Sequence, residues 1–143
     1  MPSLRFQELF DNHPYPDDPC DKAKFVNQCA IRMGVALNTC GVAVTGVEKC
    51  YAGLKHEPKH DLRAQELATW LCGHADLVGT VTKHRRSKTQ IDASTFAGQK
   101  GLIFIRDGWG STDHIDLWDG KELKGGDVSY LGFGSEVWFW PLS

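Results

Sequence analysis

The sequence predicts an α+β fold in which helices come first and an antiparallel sheet follows. In the first half, apolar residues recur at helical spacing over 27–38 and 62–72. In the second half, short apolar runs are separated by the turn signals Gly108-Trp109-Gly110 and Asp119-Gly120. Helices followed by strands are typical of this class. No repeat or linker is visible, and we interpret residues 1–143 as a single domain.

Charge and hydropathy exclude several classes of function. The net charge of −2 gives no broad basic field for nucleic acid. No apolar run approaches the ~20 residues of a membrane-spanning helix, so we expect no membrane insertion. The segment Met1–Asn12 lacks the apolar core of a secretory signal peptide. We therefore expect a protein that is made without a cleaved signal.

The first predicted helix is short and amphipathic. Ser3 is its expected cap, and Phe6, Leu9 and Phe10 form one apolar face. The helix should end at His13-Pro14-Tyr15-Pro16, because proline lacks the N–H donor and fixes φ.

The second predicted helix, over 27–38, places a cysteine at a reactive position. Asn27 is a good N-cap, so Cys29 falls in the first turn. Unpaired N–H groups and the positive end of the helix dipole stabilise an anion there, and a thiolate is an anion.

Further elements follow in order. Val42–Val44 suggests a short strand, and Asp61 should cap a helix over 62–72 that stops at Gly73. We interpret the polar stretch Thr80–Lys100 as a solvated loop or edge hairpin, although its basic residues could also meet substrate carboxylates or an acidic partner. The predicted strands are Leu102–Ile105, His114–Trp118 and Val137–Trp140.

The candidate chemistry is that of a thiol hydrolase. A nucleophilic cysteine needs a base, and His114 on a C-terminal strand can supply it. A third group should orient the imidazole through its other nitrogen. Asp127 is our first choice, because Asp116 lies roughly 7 Å along the same strand; Asp116 is the alternative. The backbone N–H of Cys29 and the side chain of Gln28 are candidate oxyanion donors.

A zinc site is a rival interpretation. The segment His56-Glu57-Pro58-Lys59-His60 matches the H-E-x-x-H pattern, which requires both histidines on one face of a continuous helix. Pro58 costs a helix interior about 3 kcal/mol. We therefore expect neither a metal nor any other cofactor.

The chain has five cysteines, which permits two disulfides and one thiol. Cys40 and Cys50 flank a glycine-containing loop and are the best candidate pair. Buried thiols remain the alternative.

Four stretches resemble the type VI secretion amidase effectors, family 4, and the resemblance covers nearly the whole chain. They are Asn27–Met33, Leu62–Leu71, Gly101–Phe104 and His114–Trp118. The resemblance implies a papain-like fold of the NlpC/P60 type. It also implies hydrolysis of the γ-D-glutamyl–meso-diaminopimelate bond of peptidoglycan, with Cys29 as nucleophile.

The same resemblance implies His114 as the base and an acidic residue about a dozen positions later, near Gly125 to Asp127. Delivery by the type VI secretion machinery into the periplasm of a target cell is implied, as is a cognate periplasmic immunity protein. An oxidising periplasm would favour the Cys40–Cys50 disulfide. A non-catalytic wall-binding protein and a metallopeptidase are the alternatives from other classes.

Overall fold

The structure is a computed structural model, and it describes residues 4–15, 29–42, 44, 63–109 and 112–143. Within these ranges the helices are α1 (Phe6–Asn12), α2 (Cys29–Thr39), α3 (Ala64–Cys72) and α4 (Ala75–Val78). The strands are β1 (Thr82–Arg85), β2 (Gly101–Trp109), β3 (Thr112–Trp118) and β4 (Glu136–Pro141). Two short 3-10 helices, η1 (Ala93–Phe96) and η2 (Val128–Gly132), complete the elements. The predicted order of helices before strands is confirmed.

The strands form one antiparallel sheet in the order β1-β4-β2-β3. In the register between β2 and β3, Ile105 lies opposite His114 and Ile103 lies opposite Asp116. The pairing is interrupted between Ile105 and Trp109. β3 is therefore an edge strand, and α2 and α3 pack against it.

Both faces of the sheet are buried, which explains the continuous apolar runs in its strands. Alternate residues of β2, β3 and β4 pack on the helices: Leu102, Phe104, Ile115, Leu117, Trp138 and Trp140. The residues between them form a second cluster with η1 and η2: Phe96, Ile103, Ile105, Trp118, Leu131, Val137 and Phe139. By the same alternation, His114 and Asp116 share the face of Trp118.

The helix ends differ from the predicted ones by one or two residues. α2 begins at Cys29 and α3 at Ala64, where Arg63 is the N-cap and makes no capping bond through its side chain. The predicted caps Ser3, Asn27 and Asp61 lie outside the described residues. His13 follows α1 in an extended conformation, so the predicted end of that helix is confirmed.

The predicted short strand at Val42–Val44 is wrong at Val42 and Val44, the two of its residues that the structure describes. Val42 and Val44 are buried but belong to no strand. The Val42 N–H donates to the Leu37 carbonyl at 2.9 Å, which closes the end of α2 instead of pairing with a strand.

The polar stretch Thr80–Lys100 contributes an edge strand, as one of its two interpretations allowed. β1 pairs with β4 and places Thr82 opposite Phe139. The chain then forms η1, which Asp92 caps by accepting the Ser94 N–H at 2.9 Å. None of the helices in the described ranges is long and apolar enough to span a membrane.

Candidate active site

The predicted nucleophile lies where the helix start meets the sheet edge. Cys29 is the first residue of α2, and only 6% of its surface is exposed. Its sulfur lies 3.8 Å from the Asp113 carbonyl oxygen of β3. The first turn of α2 contains no acidic residue.

The predicted base lies beside this cysteine. A side-chain hydrogen bond links His114 to Cys29, and the imidazole is 8% exposed. Burial alone would lower the pKa of His114, but hydrogen bonds to Asp116 and Cys29, and their charges, raise it from 6.5 to about 10. The structure therefore brings together the two residues that the sequence singled out from opposite halves of the chain.

The carboxylate that contacts the imidazole belongs to Asp116. The Nε2 atom of His114 donates to Oδ2 of Asp116 at 2.7 Å, which leaves Nδ1 for the sulfur. The Asp116 carboxylate is 1% exposed and also accepts the N–H groups of Leu117, at 2.7 Å, and Gly125, at 2.9 and 3.0 Å. Four hydrogen bonds satisfy this buried charge.

The expected position of Asp127 against the imidazole is wrong. Its carboxylate is exposed and caps η2 by accepting the Ser129 N–H at 2.9 Å. That backbone hydrogen bond lowers the pKa of Asp127. Asp116 was the second choice because of its distance along the strand, but side chains two residues apart share a face and lean along the strand. His114 and Asp116 therefore meet although their Cα atoms are roughly 7 Å apart.

Glycines allow the chain after β3 to return to the imidazole. Gly125, where family spacing pointed to an acid, instead donates its N–H to Asp116. An added Cβ at Gly126 would lie 2.6 Å from the Tyr130 ring and 3.1 Å from Nε2 of His114. Any larger residue at position 126 would therefore displace the ring or the imidazole.

Two site residues were not anticipated from the sequence. Tyr130 of η2 packs edge-on against His114, with ring centroids 5.2 Å apart and planes at 85°. Arg86, expected in a solvated stretch, donates to four backbone carbonyls: those of Ile91, Leu131, Phe133 and Gly134. These hydrogen bonds hold the end of η2, the short helix that contains Tyr130, against the chain just after β1. No periodicity or motif in the sequence signals either contact.

Some residues that the sequence analysis named lie outside the described ranges. They include Gln28, Cys50 and the H-E-x-x-H segment 56–60. Cys40 is a thiol in the structure, so the expected disulfide with Cys50 is not observed and stays a prediction. Burial raises the pKa of the Cys40 thiol. Among the described residues, no group of three or more His, Cys, Asp or Glu side chains could hold a metal ion.

Comparison with known families places the chain. The sequence model of type VI secretion system (T6SS) amidase effector protein 4, Tae4, matches residues 25–140. The chain belongs to this family. It is therefore assigned to the antibacterial T6SS effectors that act as amidases on peptidoglycan. A search of curated proteins finds no match.

Solved Tae4 structures share the fold. Tae4 from Enterobacter cloacae has a TM-score of 0.72 and 20% identity, over 100% of both chains. A Tae4–Tai4 effector–immunity complex from the same organism gives 0.71 and 20%, over 97% of this chain and 98% of that one. The Tae4–Tai4 complex from Salmonella Typhimurium gives 0.67 and 23%, with the same coverage. The predicted α+β fold, with helices packed on an antiparallel sheet, is confirmed, and it is the fold of these Tae4 structures.

Proposed function

We propose that the protein is a cysteine amidase that hydrolyses the γ-D-glutamyl–meso-diaminopimelate bond of peptidoglycan stem peptides. The hydrogen-bonded arrangement of Cys29, His114 and Asp116 carries the proposal. A thiol at a helix start, an imidazole and an orienting carboxylate are the parts that a thiol hydrolase needs. Membership of the Tae4 family supports the substrate class. We treat residues 1–143 as one catalytic domain.

The raised pKa of His114 defines the resting state that we propose. Because that pKa is about 10, the imidazole is protonated at neutral pH, and its proton is available to a leaving group. Asp116 holds the imidazolium by its Nε2–H, and Cys29 is the paired thiolate. The site therefore begins the reaction as an ion pair and needs no external base.

Acylation follows from this ion pair. The Cys29 thiolate attacks the γ-carbonyl carbon of D-glutamate, and the carbonyl π electrons move to oxygen. We propose the Cys29 N–H as one oxyanion donor and the Gln28 side chain as a second. The oxyanion then collapses, the C–N bond breaks, and His114 donates its proton to the departing amine of diaminopimelate. A thioester on Cys29 remains.

Deacylation restores the site. Water attacks the thioester carbon while His114, now neutral, accepts a proton from it. The C–S bond breaks, the glutamyl carboxylic acid leaves and loses its proton to solvent, and the thiolate–imidazolium pair forms again. No metal or organic cofactor takes part in this proposal.

The biological setting is part of the proposal. T6SS delivers the protein into the periplasm of a target cell, where peptidoglycan is accessible. Solved structures of the Enterobacter cloacae and Salmonella Typhimurium effectors contain a Tai4 immunity protein. We propose that a cognate periplasmic immunity protein binds this chain and covers the site around Cys29.

Digestion of purified muropeptides, followed by mass spectrometry, tests the proposal. The wild-type protein should release fragments cut between D-glutamate and diaminopimelate. Cys29→Ala and His114→Ala should lose this activity by at least about 10³-fold while keeping their circular dichroism spectra, because each removes a reacting group. Cys72→Ala is the matched control, since Cys72 is a half-buried thiol at the end of α3.

Other outcomes would redirect the assignment. Continued cleavage by Cys29→Ala would exclude the thioester route. A metallopeptidase would lose activity with a chelator, which should have no effect here. A binding protein would show no single hyper-reactive thiol in an iodoacetamide titration.

A further inference from the structure

A third buried polar residue accompanies the two at the site. Among the described residues, the buried polar or charged side chains are His13, His114 and Asp116. His114 and Asp116 belong to the proposed machinery. His13 directly follows α1 and is 3% exposed, and the proposed mechanism does not use it. A polar ring buried at the end of a surface helix calls for a physical reason.

The end of α1 is attached to the segment that holds Asp116. The Lys124 ammonium donates to the Phe10 carbonyl and lies 4.3 Å from the centroid of the Phe10 ring. The next residue, Gly125, donates its N–H to the Asp116 carboxylate. One lysine therefore fixes the end of α1 beside the backbone donor of the buried carboxylate.

The His13 ring and the Asp116 carboxylate border the same small space. The position that a Cβ on Gly125 would occupy is 3.5 Å from both carboxylate oxygens and 3.5 Å from Cε1 of His13. Gly125 leaves this space without a side chain. The imidazole edge of His13 therefore limits how much water can reach the carboxylate from this side.

The charge states of the two histidines differ. The Tyr15 N–H donates to Nδ1 of His13 at 3.4 Å, which leaves the ring proton on Nε2. Burial lowers the pKa of His13 from 6.5 to about 4. The charge of Asp116 raises this pKa, whereas the charges of Lys124, Arg32 and His114 lower it further. At neutral pH the ring of His13 is uncharged, so it does not compete with His114 for the negative charge of Asp116.

We propose that His13 is a positioning residue whose uncharged ring closes the Gly125 side of Asp116 and keeps that carboxylate on the His114 imidazolium. The inference rests on the proposed function, because it concerns the same Cys29–His114–Asp116 arrangement. Removing the ring would hydrate Asp116, weaken its bond to the imidazolium and make the Cys29 thiolate less favourable. A residue that only fills space in the core would not have this effect on the sulfur.

The pH dependence of Cys29 alkylation by iodoacetamide tests this role, with peptide mass spectrometry to separate Cys29 from the other thiols. His13→Ala should move the alkylation midpoint of Cys29 upward by about one pH unit, a tenfold loss of thiolate at a pH below both midpoints. His13→Phe restores an uncharged ring and should return the midpoint most of the way to the wild-type value. His74→Ala is the control, since His74 stacks on Trp70 between α3 and α4.

Several results would overturn the inference. One is a folded His13→Ala protein with the wild-type midpoint; another is a His13→Phe protein shifted as far as the alanine variant. If His13→Ala fails to fold, His13→Gln, which is uncharged but has no ring, should show an upward shift, and an unshifted midpoint would reject the role.

Alkylation needs no substrate, so this result is independent of the digestion assay. A wild-type protein that cleaves no muropeptide contradicts the proposed function, whereas an unaltered midpoint in the His13 variants contradicts only the role of His13.

Discussion

Asp116 on β3 and Asp127 before η2 are two carboxylates in opposite surroundings. Asp116 is buried, accepts three backbone hydrogen bonds from two N–H groups, and binds His114. Asp127 is exposed and accepts one backbone N–H from its own turn. The Asp116 carboxylate can orient an imidazole because it is held in place and shielded from water. The Asp127 carboxylate instead caps η2. Proximity along the sequence does not distinguish such groups; their surroundings do.

The largest expected effect comes from removing the charge of the buried carboxylate. Asp116→Asn keeps the size of the side chain but presents an amide that cannot hold an imidazolium as strongly. We expect muropeptide hydrolysis to fall by about 10²–10⁴-fold, measured as kcat/KM by chromatography of the products.

Asp127→Asn is the matched variant for that measurement. Because an asparagine caps a helix about as well as an aspartate, its rate should stay within about twofold of the wild-type value. The reverse ranking, with Asp127→Asn the more damaged variant, would return the orienting role to Asp127.

A second variant narrows the space between residue 126, which follows β3, and the Tyr130 ring of η2. Gly126→Ala adds a methyl group that overlaps the Tyr130 ring and approaches Nε2 of His114. We expect a loss of activity of roughly 10–100-fold together with destabilisation of about 1–3 kcal/mol. Gly132→Ala in η2 is the control, since nothing lies within 4 Å of its added Cβ. Equal rates for the two alanine variants would contradict the close packing at Gly126.

A third variant loosens the support of η2. Arg86→Ala removes the donor to four carbonyls, and we expect the free energy of unfolding in urea to fall by roughly 2–3 kcal/mol. Arg85→Ala, at an exposed position of β1, should change it by no more than about 0.5 kcal/mol. If the two variants unfold at the same urea concentration, the four bonds contribute nothing net.

The smallest expected effect is a dependence of stability on pH. The pKa of His114 is raised from 6.5 to about 10, so folding favours its protonated form. This contribution is fully present below pH 6.5 and is lost as the pH rises towards 10. The unfolding free energy should decrease by at least about 1 kcal/mol over that range, which corresponds to a pKa shift of roughly one unit. His114→Gln should flatten this part of the curve; an unchanged slope would contradict the raised pKa.

Periodicity and position along the chain were enough to predict several features of the fold and of the site. The order of helices and strands, the start of α2 near Cys29, and the pairing of that helix with the strand of His114 all followed from apolar spacing and from the chemistry of a thiolate. The strands predicted in the second half of the chain lie within the observed ones; Leu102–Ile105, for example, lies within β2. The helices and strands depend on residues close together in the chain, whereas the meeting of α2 with the strand of His114 was inferred from the need of a thiolate for a base.

The rest depends on contacts that spacing does not encode. Asp116 was underrated because backbone distance ignores the lean of two side chains towards each other. The 3-10 helices η1 and η2 are too short to show a period. Arg86 and His13 have roles only after distant segments meet, one at the carbonyls of 131–134 and the other beside Gly125. No local pattern distinguishes either residue from a solvated one.

The position of β4 in the sheet has a consequence for how the chain folds. β4 lies between β1 and β2, so it supplies the hydrogen-bonding partner for both. Until Glu136–Pro141 has been synthesised, β1 has no neighbour, and half of the ladder of β2 is open. Such long-range pairing slows folding and makes it cooperative. A fragment that ends before β4 would therefore keep the β2–β3 pairing that carries His114 but would lack the strand that joins it to β1.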